Sequence, residues 1–184
     1  NKSIQSLNLF KNNIGDVGAG KIADALKANR SIQSLSLTFN NIGDIDAGKI
    51  ADALIGNTII QSLDFSFNNI GEIGAGKIAD ALKGNNSIQY LNVGGNNIGD
   101  IGVGKIVDAL KISTSIQSLH GIDLSKYTNT LDIPIEFSTK INRDILKYLI
   151  ERNTSSAVEV RKMKVIVVGT GGVGKTTLVK RLVT

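Results

Sequence analysis

The chain has 184 residues, 41% of them hydrophobic and 20% charged, which is enough apolar material for a folded core and excludes a disordered polymer. It has no cysteine and a single histidine, His120, excluding disulfide frameworks, cysteine zinc sites and thiol catalysis, and making a multi-histidine metal centre or a Ser-His-Asp triad a poor expectation. The net charge of +5 is uneven: residues 1–150 hold 14 basic and 14 acidic side chains, and residues 151–184 hold seven basic against two acidic. The excess lies wholly in the tail, so it does not read as a nucleic-acid surface. No membrane span is expected, because the longest unbroken run of large apolar residues is Val165–Val168, far short of the roughly 18 a span requires.

From its first residues the chain repeats itself. SIQSLNLFKNNIG at Ser3 returns as SIQSLSLTFNNIG at Ser31, IIQSLDFSFNNIG at Ile59 and SIQYLNVGGNNIG at Ser87, then as SIQSLHGID at Ser115, in steps of 28 residues. Leu7 and Leu9 alternate with Ser6 and Asn8, a period of two that predicts a short strand buried on one face. Ile22, Ala25 and Leu26 stand at i, i+3 and i+4, which predicts a half-buried helix. Lys21 and Asp24 fall outside that stripe and recur as Lys49/Asp52, Lys77/Asp80 and Lys105/Asp108, a solvated face where each pair contributes about 0.2–0.5 kcal/mol. Ala23, Ala51 and Ala79 would let helix and strand layers approach closely, a series that Val107 interrupts. Six large apolar side chains per unit, such as Ile4, Leu7, Leu9, Ile14, Ile22 and Leu26, cannot offset the ordering of a whole unit's backbone. Stability must therefore come from stacking of units.

The unit pattern I-x-x-L-x-L-x-x-N-x-I-x-x-x-G-x-x-x-I-x-x-x-L resembles the leucine-rich repeat in its longer, ribonuclease-inhibitor-like form. That resemblance implies an α/β solenoid of β-α units with a curved parallel sheet over residues 1–122. It further implies that Asn12, Asn40, Asn68 and Asn96 form a buried ladder bonded to neighbouring backbone. No capping segment precedes the first repeat, so the expectation is that further units or another cover seal that edge. At the other end Gly121 stands where Leu9, Leu37, Phe65 and Val93 stood, and Leu124 replaces the ladder asparagine. The solenoid is expected to stop near Ile122. Residues 123–152 read as its terminal cap, with Pro134 and then a helix from about Thr139 to Arg152 on the spacing of Ile141, Ile145, Tyr148 and Leu149.

In this architecture the strands line a concave surface, which implies a protein partner there. The candidate face is Phe10, Phe39, Asp64, Phe67, Tyr90 and Asn92, with the aromatics as anchors. The competing reading folds those rings over the sheet edge as local core. The sequons at Asn1, Asn29, Asn85 and Asn153 are read as chance matches in an Asn- and Ser-rich chain rather than as glycosylation sites.

The tail changes character after a linker at residues 153–163. In the segment 164–184, Lys164–Val168 carries a β-branched run typical of a strand buried on both faces. It leads into Gly169-Thr170-Gly171-Gly172-Val173-Gly174-Lys175-Thr176, which matches the phosphate-loop pattern G-x-x-x-x-G-K-[ST], and then into Thr177 and a helical Leu178/Leu182 spacing. Glycines there would let successive N–H groups converge on phosphates; Lys175 would reach the β- and γ-phosphates and Thr176 would ligate Mg²⁺.

This stretch resembles the opening of a Ras-like small GTPase, and NB-ARC ATPases share much of it. Repeats that precede the nucleotide segment resemble the Roco arrangement, in which a Roc GTPase follows leucine-rich repeats. The resemblance implies GTP/GDP and Mg²⁺ as ligands of the parent protein, held by residues Gly169 to Thr177. The switch threonine, D-x-x-G and N-K-x-D segments of that family are not among these 184 residues, so these residues are expected neither to hydrolyse GTP nor to hold nucleotide by themselves. Two other readings stay open: a pure binding scaffold or secreted effector with a vestigial tail, and a STAND-type ATPase switch. The expected location is the cytoplasm, or a host's cytoplasm for an effector. The orphan strand is expected either to be disordered or to pair with another chain, which would give self-association.

Overall fold

A computed structural model describes residues 3–127, 129–132 and 142–154. Strands and helices alternate: β1 (Ser6–Asn8), α1 (Gly15–Ala28), β2 (Ser34–Ser36), α2 (Asp44–Ile55), β3 (Ser62–Asp64), α3 (Glu72–Gly84), β4 (Tyr90–Asn92), α4 (Gly99–Leu110) and β5 (Ser118–His120). A 3-10 turn at Leu124–Tyr127 and helix α5 (Asn142–Thr154) follow. The strands form one parallel sheet in the order β1-β2-β3-β4-β5.

Sheet register is the sequence repeat made physical. Leu7 pairs with Leu35, Leu35 with Leu63, Leu63 with Leu91 and Leu91 with Leu119. A slip by one residue would turn every leucine outward, so burial of that face fixes the pairing. Leu37, Phe65 and Val93 continue the buried row, and Ile50, Ile78 and Ile106 of the helices close over it. Ala23, Ala51 and Ala79 are buried, as is Val107, so the layer accepts the larger residue.

The helical stripe differs from the expected one in its first copy. Ala19, Ala23 and Leu26 are buried in α1, whereas Ala25 is exposed. Its counterparts Ala53, Ala81 and Ala109 are buried, because α2, α3 and α4 each pack against a preceding helix and α1, among the described residues, has none before it.

Nor do the lysines and aspartates pair as their spacing suggested. Asp24 binds Lys27 (3.0 Å), Asp80 binds Lys83 (2.8 Å) and Asp108 binds Lys111 (2.7 Å). Helical side chains lean toward the N-terminus, so a lysine following the aspartate reaches it and one preceding it leans away. Lys49, Lys77 and Lys105 instead lie across Gly20, Gly48 and Gly76 of the preceding helix.

Two asparagine ladders tie the units together. Asn68 accepts the N–H groups of Asn40 (3.0 Å) and Ile42 (3.1 Å) and donates to the carbonyls of Leu37, Phe65 and Ser66. At the other flank Asn57 donates to the Leu26 carbonyl and Asn85 to those of Leu54 and Asn57, while each accepts N–H groups two and three residues ahead. This second ladder explains the sequons at Asn29 and Asn85. They are turns in which asparagine bonds its own i+2 amide, and Asn85 is only 2% exposed. Helix α3 is also capped by its neighbour, since Asp44 accepts the Gly71 (2.6 Å) and Gly74 (2.8 Å) N–H groups.

The fifth strand pairs in full register and departs only at Gly121. Its φ is +90°, and a methyl group there would stand 2.3 Å from the Gly94 nitrogen, so two glycines meet where the sheet ends. Helix α5 then supplies what a sixth unit would. Asn142 accepts the Leu124 N–H (2.8 Å) and donates to the Leu119 (3.1 Å) and Ile122 (2.5 Å) carbonyls. Asn153, eleven residues on, donates to Ser113 (3.0 Å) and Leu110 (3.5 Å). The expected helix start at 139–141, Pro134, the linker beyond Thr154 and the whole segment 164–184 lie outside the described residues.

Candidate functional site

Every strand turns two side chains away from its inward leucine, which is partly buried in β1 and buried in the other four. They form two rows across the sheet: Ser6, Ser34, Ser62, Tyr90 and Ser118, then Asn8, Ser36, Asp64, Asn92 and His120. Most are half-buried by their neighbours. The rows carry one acid and no lysine or arginine, so they present hydrogen-bonding groups and rings rather than net charge.

Asp64 organises the centre. Its Oδ1 accepts the Ser66 N–H (2.8 Å) and hydroxyl (2.6 Å), and its Oδ2 accepts from Asn92 Nδ2 (3.3 Å). Asn92 Oδ1 in turn accepts the Gly94 N–H (3.0 Å). Tyr90 stands one residue from this network with its ring 5.2 Å from that of His120. Partial burial, and secondarily the Asp64 charge, raise the Tyr90 phenol above its ordinary value. Asp64, Tyr90 and Asn92 thus share one surface.

Phe10, Phe39 and Phe67 are placed differently. They lie two or three residues past the strand ends, on the rim where each strand turns toward its helix. Phe10 meets Phe39 edge-on (centroids 5.7 Å), and Phe39 stacks on Phe67 (4.5 Å, 6° between planes). They are not local core: their exposures are 51%, 47% and 53%. Phe39 and Phe67 hold left-handed backbone, φ +58° and +53°, a position occupied by Lys11 in the first unit and by Gly95 in the fourth. For a bulky side chain that conformation costs about 1–3 kcal/mol. A methyl on Gly95 would sit 2.6 Å from the Phe67 ring, so glycine there lets the ring column close down on the fourth turn.

Among the described residues no group of three or more His, Asp or Glu side chains could hold a metal, and no helix is long and apolar enough to cross a membrane.

Comparison with known proteins agrees with this architecture. A family model described as Leucine Rich repeat matches residues 1–23, 28–51, 56–79 and 84–107, more than half of the chain. No curated protein matches. Among solved structures, Leiomodin-1 Actin-Binding Site 2 (ABS2) aligns at 21% identity with a TM-score of 0.63, covering 85% of this chain and 84% of that one. The tropomodulin C-terminal domain of Caenorhabditis elegans aligns at 12% identity with a TM-score of 0.65, covering 85% and 88%. At such identities the likeness speaks for the fold alone.

Proposed function

The chain belongs to the leucine-rich repeat family, and from that premise we propose that residues 3–122 are a docking module that binds a protein partner on the strand face centred on Asp64, Tyr90 and Asn92. The observation that carries this reading is the contrast within the repeat. The central strand leucine stays fixed through all five units, and the core isoleucines and ladder asparagines through the first four, while the second outward strand position changes from Asn8 and Ser36 to Asp64, Asn92 and His120.

The finer part of the proposal rests on sequence. The G-x-x-x-x-G-K-T run at Gly169–Thr176 supports a phosphate loop in a Roco-like parent, with Lys175 on the phosphates and Thr176 on Mg²⁺. The repeats would recruit a partner in the cytoplasm and a GTPase would act as the switch. Within these 184 residues the proposal includes no turnover and no firm nucleotide binding.

A photo-reactive phenylalanine analogue placed at Tyr90 or at Asn92, in living cells, tests the docking face. A discrete adduct from these positions, with none from the convex Lys83 position, is the expected result. Equal labelling from both faces would refute it. For the tail, a fluorescent GTP analogue is expected to show no saturable, Mg²⁺-dependent binding to this chain.

A further inference from the structure

Exposure alone selects nothing on this surface. Ile45, Ile73 and Ile101 are exposed, but Lys49, Lys77 and Lys105 follow them one turn on, and single exposed aliphatics are ordinary. Phe39 and Phe67 differ, because each ring is half-exposed while the backbone that carries it is left-handed, φ +58° and +53°. A bulky residue keeps that conformation only where its surroundings impose it.

The surroundings that impose it lie on the strand face. The second outward row supplies acceptors for the amide two residues on. Asn8 takes the Phe10 N–H (2.9 Å), Asp64 the Ser66 N–H (2.8 Å) and Asn92 the Gly94 N–H (3.0 Å). The carbonyls of Ser66 and Gly94 in turn accept the Phe39 (3.2 Å) and Phe67 (2.8 Å) N–H groups. A hydroxyl chain runs alongside, from Ser36 to Thr38 and Thr38 to Ser66 (3.2 Å each), and then to Asp64 (2.6 Å). Asp64 stands where these lines meet, since it fixes Ser66, which directly precedes Phe67 and carries the bond to Phe39.

The two rings are 4.5 Å apart and within 6° of parallel, so they leave no slot between them and form a ridge. The turns that carry them, 38–43 and 66–71, contain no charged residue. The acids that follow, Asp44 and Glu72, lie against the next unit at Gly71 and Gly99. Such a ridge fits an uncharged apolar cleft, and a second copy would set ridge against ridge. We propose that the Phe39–Phe67 pair is the anchor by which the strand face holds a protein partner, seated in an apolar cleft of that partner, and that Asp64 is its positioning residue. This rests on the docking reading above and says which side chains make the contact.

The first arm of the test uses the whole chain alone. Stacking moves ring protons upfield, and Phe39 and Phe67 are expected to show that shift in wild type and to lose it in D64A. D64N is expected to keep it, because its amide oxygen can accept the Ser66 N–H as Asn92 accepts that of Gly94. No change in D64A, or loss in D64N, would overturn the positioning role. In the second arm a photo-reactive phenylalanine analogue at the Phe39 position is expected to give, in living cells, the same adduct as at Tyr90. With the analogue at Tyr90, D64A, F67G and F39K are each expected to cut the yield about tenfold or more, and D64N to keep it. F67G and F39K reproduce Gly95 and Lys11, which hold the same left-handed position in other units. In cell extract, salt at about 0.5 M is expected to leave the yield unchanged; loss in salt would mean that charge holds the partner. A Tyr90 adduct undiminished in F67G and F39K would overturn the anchor and leave the strand-face reading standing. An adduct from the Phe39 position alone would do the reverse, and no adduct from either would overturn both. An adduct with a second copy of this chain, or sedimentation of wild type but not F67G with phospholipid vesicles, would overturn the assignment of a separate protein.

Discussion

Removal of Asn68 isolates the contribution of the asparagine ladder. In Asn68→Ala the amides of Asn40 and Ile42 lose their acceptor, and the carbonyls of Leu37, Phe65 and Ser66 lose a donor. The Ser66 carbonyl still accepts from the Phe39 N–H, so the amides dominate. Asn40 and Ile42 are fully buried, and a stranded buried group costs about 1–3 kcal/mol, so the two together predict roughly 2–6 kcal/mol. Against a total of about 5–15 kcal/mol, that is a large fraction. Asn12 provides the control, because its amide donates to the Phe10 carbonyl at an exposed position, and Asn12→Ala should cost under about 1 kcal/mol. Urea unfolding followed by circular dichroism reads both. A loss at Asn68 no larger than that at Asn12 would mean that the ladder does not hold the units together.

Three further outcomes follow from the same geometry. Phe65→Ala should destabilise by about 3–5 kcal/mol because that ring is fully buried; Phe67→Gly should stay within about 1 kcal/mol, since relief of its left-handed backbone offsets the lost stacking. Equal costs in thermal melts would contradict the assignment of Phe67 to the rim. Asp46 occupies the position held by Gly18, Gly74 and Gly102 and is fully buried; its Oδ1 accepts from the half-exposed Lys49 ammonium (2.8 Å), a pair worth little against the burial of the carboxylate, and its Oδ2 has no hydrogen-bond partner. Asp46→Ala should therefore stabilise by about 1–2 kcal/mol, and a lower urea midpoint would show that the carboxylate is needed. The Lys83 hydrogen bond holds Asp80 below the ordinary carboxylate value, so its small stabilisation is present above the unfolded value and lost as pH falls through the folded one. A carboxyl NMR titration should find Asp80 low in wild type and near ordinary in Lys83→Ala; no change would mean the pair does not form in solution.

The repeat, the strand register and the first asparagine ladder were legible because each is periodic at a spacing the eye can test. The second ladder was equally periodic, but N-x-S at Asn29 and Asn85 matched a modification signal, and only burial shows that the asparagines serve the backbone. Pairing of Asp24 with Lys27 rather than Lys21 depends on the lean of helical side chains, which spacing alone does not encode. The exposed row at Ile45, Ile73 and Ile101 was hidden by its own regularity, since a recurring isoleucine reads as core until the helix phase is known. Asn142 and Asn153 had no periodic partner at all. Their roles come from where α5 meets the fifth unit.

The central claim is tested most directly by amide exchange on the whole chain with and without the partner recovered by cross-linking from the Tyr90 position. Slowed exchange confined to Ser62–Asp64, Tyr90–Asn92 and the turns that follow them is the predicted result. Protection confined to the convex helical surface around Asp80 and Lys83, with the strands unchanged, would contradict it.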